Sequence, residues 1–163
     1  MGLSATSIDL LVKQLVRSVT WGDLEFLVVD MPPGTADIAH IVMRELKISG
    51  AIVVVTPQEV AHLDARKAVT MFRRGGVRVL GAIENMSGLT CPACGERISL
   101  FPNVTPARAI WQMEVEKLGE IPFTAVLGDA AEAGVPLAIS APESATAGAF
   151  TQIAEEVVAR LPY

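Results

Sequence analysis

The chain has 163 residues, of which 51% are hydrophobic and 19% charged, a composition that excludes intrinsic disorder and suits one globular domain spanning residues 1–163. A formal net charge of −5 argues against nonspecific attachment to nucleic acid or to an anionic membrane, because both require a positive surface field. The longest apolar runs, such as 52–55 and 135–139, are far shorter than the roughly 20 residues of a membrane span, and Asp9, Lys13 and Arg17 break up any secretory h-region, so a cytoplasmic protein is expected.

Ile8, Leu11, Val12, Leu15, Val16 and Val19 recur at three- and four-residue intervals, which predicts an amphipathic helix capped by Thr6 or Ser7. Residues 26–29 form an apolar run that ends in Asp30 and then Pro32-Pro33-Gly34, the pattern of a buried strand stopped by a stiff turn. Two further strands are predicted at 51–55 and 77–83, the first rich in β-branched residues. Between them, residues 59–74 have helical periodicity, and Gly75-Gly76 provides a stop. Residues 107–117 read as a helix, 118–121 as a short strand and 145–161 as a C-terminal helix. This alternation predicts an α/β fold, a partly parallel sheet flanked by helices.

Two motifs carry chemistry. The first, Asp30-Met31-Pro32-Pro33-Gly34-Thr35, puts a carboxylate at a strand end, where open α/β sheets bind ligands. Such a carboxylate can hold magnesium, and Gly34 lets a backbone N–H approach a terminal phosphate; the plain alternative is a strand-ending turn. The second motif, Cys91-Pro92-Ala93-Cys94-Gly95 within residues 88–96, contains the chain's two cysteines. It supplies two of the four thiolates that a zinc ion or an iron-sulfur cluster takes, while His40 and His62 are distant in sequence. A second copy of the chain would supply the other two across a two-fold axis. A thioredoxin-like redox pair is the competing reading, but that pair begins a helix, and Gly95 suits a metal turn better.

Taken in order, DMPPGTAD, IVVVTPQEVAHLDARKAV, GAIENMSGLTCPACGE and LGEIP resemble the Mrp/ApbC iron-sulfur cluster carriers, which are similar to the MinD and ParA group of deviant P-loop ATPases. The resemblance implies that Asp30 lies beside the magnesium and γ-phosphate of ATP, with Asp37 as the second acid of the motif and Gly34 and Thr35 in the phosphate-sensing loop. It also implies that Asn85 recognises adenine, through an amide that both donates and accepts, and that Pro122 flanks the base. Cys91 and Cys94 would hold a bridging [4Fe-4S] cluster across a homodimer, for delivery to recipient apoproteins.

One departure bears on all of this. No GxxxxGK[ST] occurs in the chain, so the phosphate cradle is missing, and the resemblance reads as the portion of the domain after the P-loop, an incomplete NTPase fold. The expected ways to complete the sheet are direct pairing of 26–29 with 51–55, a strand from a partner, or truncation. Three functional readings follow: a cluster carrier without autonomous ATP hydrolysis, a nucleotide-binding subunit completed by a separate P-loop half, and a zinc-stapled interaction module.

Overall fold

A computed structural model describes residues 5–32, 36–91 and 93–161. The chain divides into two compact units, residues 1–48 and 49–163. In the first, helix α1 (Ala5–Ser18) packs on helix α2 (Ala36–Glu45). Charge ties the pair together. Asp9 accepts from Lys13 at 2.8 Å and from Arg44, while Glu45 accepts from Arg17 at 2.9 Å. Ala39, Ile41 and Val42 of α2 are buried, whereas Leu11 and Leu15 of the predicted α1 stripe are exposed.

Residues 26–29, predicted as a buried strand, form none. Phe26, Leu27, Val28 and Val29 are all exposed, Val28 by 89%. The direct pairing with residues 51–55 is therefore not adopted. An apolar run becomes a strand only where a neighbouring chain satisfies its N–H and C=O groups, and no strand pairs with it among the described residues.

The second unit is an α/β layer structure. Strands β1 (Ala51–Val55), β2 (Val79–Thr90) and β4 (Lys117–Phe123) are parallel, with β2 central, and the two-residue β3 (Arg97–Ile98) runs antiparallel to the end of β2. Leu89 of β2 has Ile98 on one side and Phe123 on the other, so β3 and β4 flank β2 on opposite sides. Helix α3 (Glu59–Arg74) joins β1 to β2 and buries His62, Ala65 and Val69. Ala65 and Val69 meet Val53, Val55, Ala82, Ile110 and Val115 in one core.

On the opposite face, α6 (Ala145–Arg160) sets Ile153 against Leu118 and Ile121, with Ile83 packed beside them. Adjacent residues of β2, Ala82 and Ile83, thus enter different cores, which explains why the strand reads as continuously apolar rather than alternating. Gly119 permits the close approach of α6, because a Cβ there would lie 2.4 Å from Cγ1 of Ile153. Short helices α4 (Ala125–Glu132) and α5 (Leu137–Ser140) precede α6, and Thr124 and Ser144 cap α4 and α6 by accepting the N–H groups of Leu127 and Ala147.

The helix predicted over 107–117 is instead two 3₁₀ turns, Pro106–Arg108 and Ile110–Met113, followed by the start of β4. Ala109 is extended and Glu114 left-handed, with φ 54°, and neither conformation propagates a helix. Strand β2 runs seven residues past the predicted end at Ile83, to Thr90, and carries the Asn85 motif into the sheet. Among the described residues no helix is long and apolar enough to cross a membrane.

Candidate functional site

The parallel strands deliver their C-terminal ends to one edge. There Asn85 of β2 pairs with Ile121 of β4, so Pro122 is one step along the neighbouring strand. The ladder is irregular between Asn85 and Leu89. Met86 takes a left-handed φ of 57°, and the Asn85 side-chain oxygen accepts the Met86 N–H at 3.0 Å, leaving the amide NH₂ available as a donor. The two residues predicted to contact a base are therefore brought together. Pro122 also lines a cavity of 260 Å³ with Ser87, Gly88, Thr90, Arg97 and Glu120.

Beyond this edge the end of β2 turns back as a hairpin into β3, and the cysteines lie at its tip. Cys91 N–H donates to Glu96 C=O and Gly95 N–H to Cys91 C=O, each at 2.8 Å. Gly95 has φ 76° with nothing within 4 Å of a notional Cβ, so backbone conformation rather than crowding calls for glycine. The backbone N–H groups of Ala93 and then Cys94, followed by the Cys94 thiol, hold the Cys91 thiol below its ordinary pKa against a smaller opposing effect of burial. A turn that aims amides at sulfur favours the thiolate, the form that binds metal.

Both thiols are free, Cys91 half-buried and Cys94 exposed. Among the described residues no third Cys, His, Asp or Glu completes a metal cluster. The pair is thus two ligands presented outward at the tip of a hairpin. It does not open a helix, as a thioredoxin-like pair does.

The remaining predicted residues lie in the other unit. Asp30 is exposed in an irregular segment, and Asp37 is exposed in the first turn of α2. Gly34 and Thr35 lie outside the described residues. His40 is exposed on α2, whereas His62 is completely buried on α3.

His62 has a structural role. Its Nδ1 accepts the Ile110 N–H at 3.2 Å, which puts the proton on Nε2, an atom with no partner among the described residues. Burial lowers its pKa; the charge of Glu84 raises it, and that of Lys117 lowers it. Because the unfolded imidazole is the better proton acceptor, the His62 contribution to stability is complete above its ordinary value near 6.5 and declines as the pH falls below it. The urea midpoint of the second unit is expected to fall as the pH drops from 7 to 5.5, because the unfolded imidazole takes up a proton that the buried one resists. A His62→Gln variant, which keeps an acceptor but does not titrate, should show a flat profile there.

Sequence reasoning missed a ladder of charges across the sheet. Lys117 of β4 donates to Glu84 of β2 at 2.5 Å and to Glu120 at 2.8 Å, and Glu120 also accepts from Arg97 of β3 at 2.8 Å. Lys117 lies 4.9 Å over the Trp111 ring, which meets the His62 ring in a T-shaped contact. Lys117 and Glu120 are three apart on one strand, but nothing in the sequence announces that Arg97 joins them.

Residues 3–158 match the ParA family in its form described as the NUBPL iron-transfer P-loop NTPase. The mouse protein named iron-sulfur cluster transfer protein NUBPL is 41% identical over 150 residues, which cover 92% of this chain and 47% of that protein. An Archaeoglobus fulgidus nucleotide-binding protein, solved in complex with ADP, is 36% identical with a TM-score of 0.64, over 81% of this chain and 56% of that one. The Pyrococcus furiosus cell division ATPase MinD shares the fold at a TM-score of 0.68, over 96% of this chain and 59% of that one, at 24% identity. The chain spans about half the length of the relatives it matches. A match over nearly its whole length, carried by a parallel α/β sheet with a paired-thiol hairpin at its edge, makes this chain a member of the ParA family of NUBPL-type iron-transfer P-loop NTPases.

Proposed function

We propose that the chain is an iron-sulfur cluster carrier in which Cys91 and Cys94 of two copies hold one [4Fe-4S] cluster as cargo, for delivery to recipient apoproteins in a reducing compartment such as the cytoplasm. The observation that carries this reading is the pair of free thiols at the hairpin tip, with amides directed at Cys91 and no third ligand among the described residues. Two thiolates are half of a tetrahedral set, and a two-fold axis completes it with an identical pair. The names of relatives such as mouse NUBPL support the same cargo.

In the same reading, Asn85 and Pro122 flank the adenine of ATP, and Asp30, Gly34, Thr35 and Asp37 serve its phosphates and magnesium. The chain then corresponds to the part of the family's domain that follows the P-loop, and the phosphate cradle comes from elsewhere in the assembled protein. The Archaeoglobus relative in complex with ADP supports nucleotide as the second ligand. Iron chemistry is favoured over zinc because the thiols are displayed at an open tip, whereas a structural zinc staple is normally closed by four ligands of one chain.

Anaerobic incubation with ferrous iron and sulfide, followed by visible absorbance and iron analysis, tests the carrier reading. Thiolate-to-iron charge-transfer bands with stoichiometric iron are expected. A colourless protein that retains only zinc would establish the interaction-module alternative instead.

A further inference from the structure

The cysteine hairpin has little to hold it. Its ladder with the rest of the sheet is two pairs, Leu89 with Ile98 and Thr90 with Arg97, and residues 93–100 are all exposed. A two-residue antiparallel ladder without a buried face is marginal in water. Nevertheless a turn that must present two thiols to a second copy needs a defined direction, because ligand groups function only when their supports fix them.

We propose that Arg97 is the positioning residue of this hairpin, latching it to β4 through Glu120. The guanidinium donates to the Glu120 carboxylate at 2.8 Å, and it reaches the Ser87 carbonyl and hydroxyl oxygens, each at 3.4 Å. Arg97 starts on one side of β2 and Glu120 stands on the other, so the side chain crosses the central strand. It crosses at Gly88, where a Cβ would lie 3.0 Å from Arg97 Nε and 3.2 Å from the Ile98 carbonyl oxygen. The glycine of the ENMSG segment thereby leaves a channel for the arm.

The far end of the latch is anchored in turn. Glu120 is held below the ordinary carboxylate range, first by its hydrogen bond from Lys117 and then by that from Arg97. Lys117 bonds Glu84 on β2 and covers Trp111, which packs against the first core. The latch thus ties a hairpin whose residues 93–100 are all exposed to a rigid part of the sheet. Exposed ion pairs contribute little to global stability, so its effect should appear as local opening of the hairpin and leave overall unfolding almost unchanged.

The test compares Arg97→Met, Glu120→Gln and the double variant with the parent. In metal-free protein, exchange of the Cys91 and Gly95 amide hydrogens is expected to quicken roughly two- to fivefold in Arg97→Met, with the urea midpoint unmoved. The double variant should exchange no faster than Arg97→Met alone, since replacing Glu120 removes nothing further from the hairpin once the guanidinium is gone. Unchanged exchange in Arg97→Met, or additive effects in the double variant, would overturn the latch. This deepens the carrier reading and has a second arm that depends on it: with both hairpins of a dimer loosened, loss of reconstituted cluster to a chelator should quicken roughly four- to twentyfold. If the parent chain takes up no iron, the carrier reading fails, and the exchange comparison still decides the latch.

Discussion

Cys91→Ser is expected to lower the iron retained after reconstitution by at least about tenfold, while the unfolding midpoint moves by less than about 0.5 kcal/mol in equivalent stability. The two expectations separate because the thiol lies at a hairpin tip and takes no part in either core. Removing one sulfur per chain removes two of four ligands from a bridging cluster, and even the supports of metal ligands typically contribute ten- to a hundredfold in affinity. Cys94→Ser should act in the same direction. Cys91 is the more instructive position because amides of Ala93 and Cys94 address its sulfur; the serine hydroxyl can accept those hydrogens but stays protonated and ligates iron poorly. Iron analysis and urea titration of the same preparations provide both numbers. Full iron retention in either serine variant would remove the thiol pair from the site.

The largest effect on stability should come from Ile110→Ala, which is expected to destabilise the second unit by about 2–5 kcal/mol. Ile110 has no solvent exposure and shares its core with Val53, Val55 and Ala82 of the sheet, Ala65 and Val69 of α3, and Val115. Truncation there loses buried methyl groups and leaves a cavity, because the residue starts a 3₁₀ turn whose first N–H is held by His62 and whose backbone cannot readily collapse inward. Ile110→Val, which removes one methylene, should cost about 0.5–1.5 kcal/mol. Trp111 adjoins this core, so its fluorescence in a Trp21→Phe background reports the second unit alone. A fall in urea midpoint at constant slope is the expected signature; a loss under about 1 kcal/mol would show that the core rearranges around the vacancy.

These two positions mark where the sequence was informative and where it was not. Cys91 and Cys94 are legible because both ligands lie within one turn, so spacing alone places them side by side. Ile110 is recognisably apolar, yet residues 107–117 suggest a continuous helix. The break comes from the extended Ala109 and left-handed Glu114, conformations that no residue type in the segment demands. Strand β1, helix α3 and the C-terminal helix were readable because their apolar spacing matches their burial, as in Val53 and Val55 against Ala65 and Val69. Residues 26–29 have the same apolar signal and form no strand, since the pattern reports a need for burial and not the presence of a partner. Helix α4 escaped notice because its alanine-rich sequence has little contrast between faces. The neighbourhood of Asn85 and Pro122 follows from strand order, and so does the reach of Arg97 over Gly88 to Glu120. Contacts between residues distant in sequence depend on which strands become neighbours, and that is settled by the whole sheet.

In the proposed carrier two copies share one inorganic centre through their Cys91 and Cys94 thiolates. Native mass spectrometry of anaerobically reconstituted protein addresses it directly. A species of two chains with one [4Fe-4S] cluster is expected, reverting to single chains when the cluster is stripped or when either cysteine is replaced. A cluster or metal ion carried stably by one chain alone would contradict it.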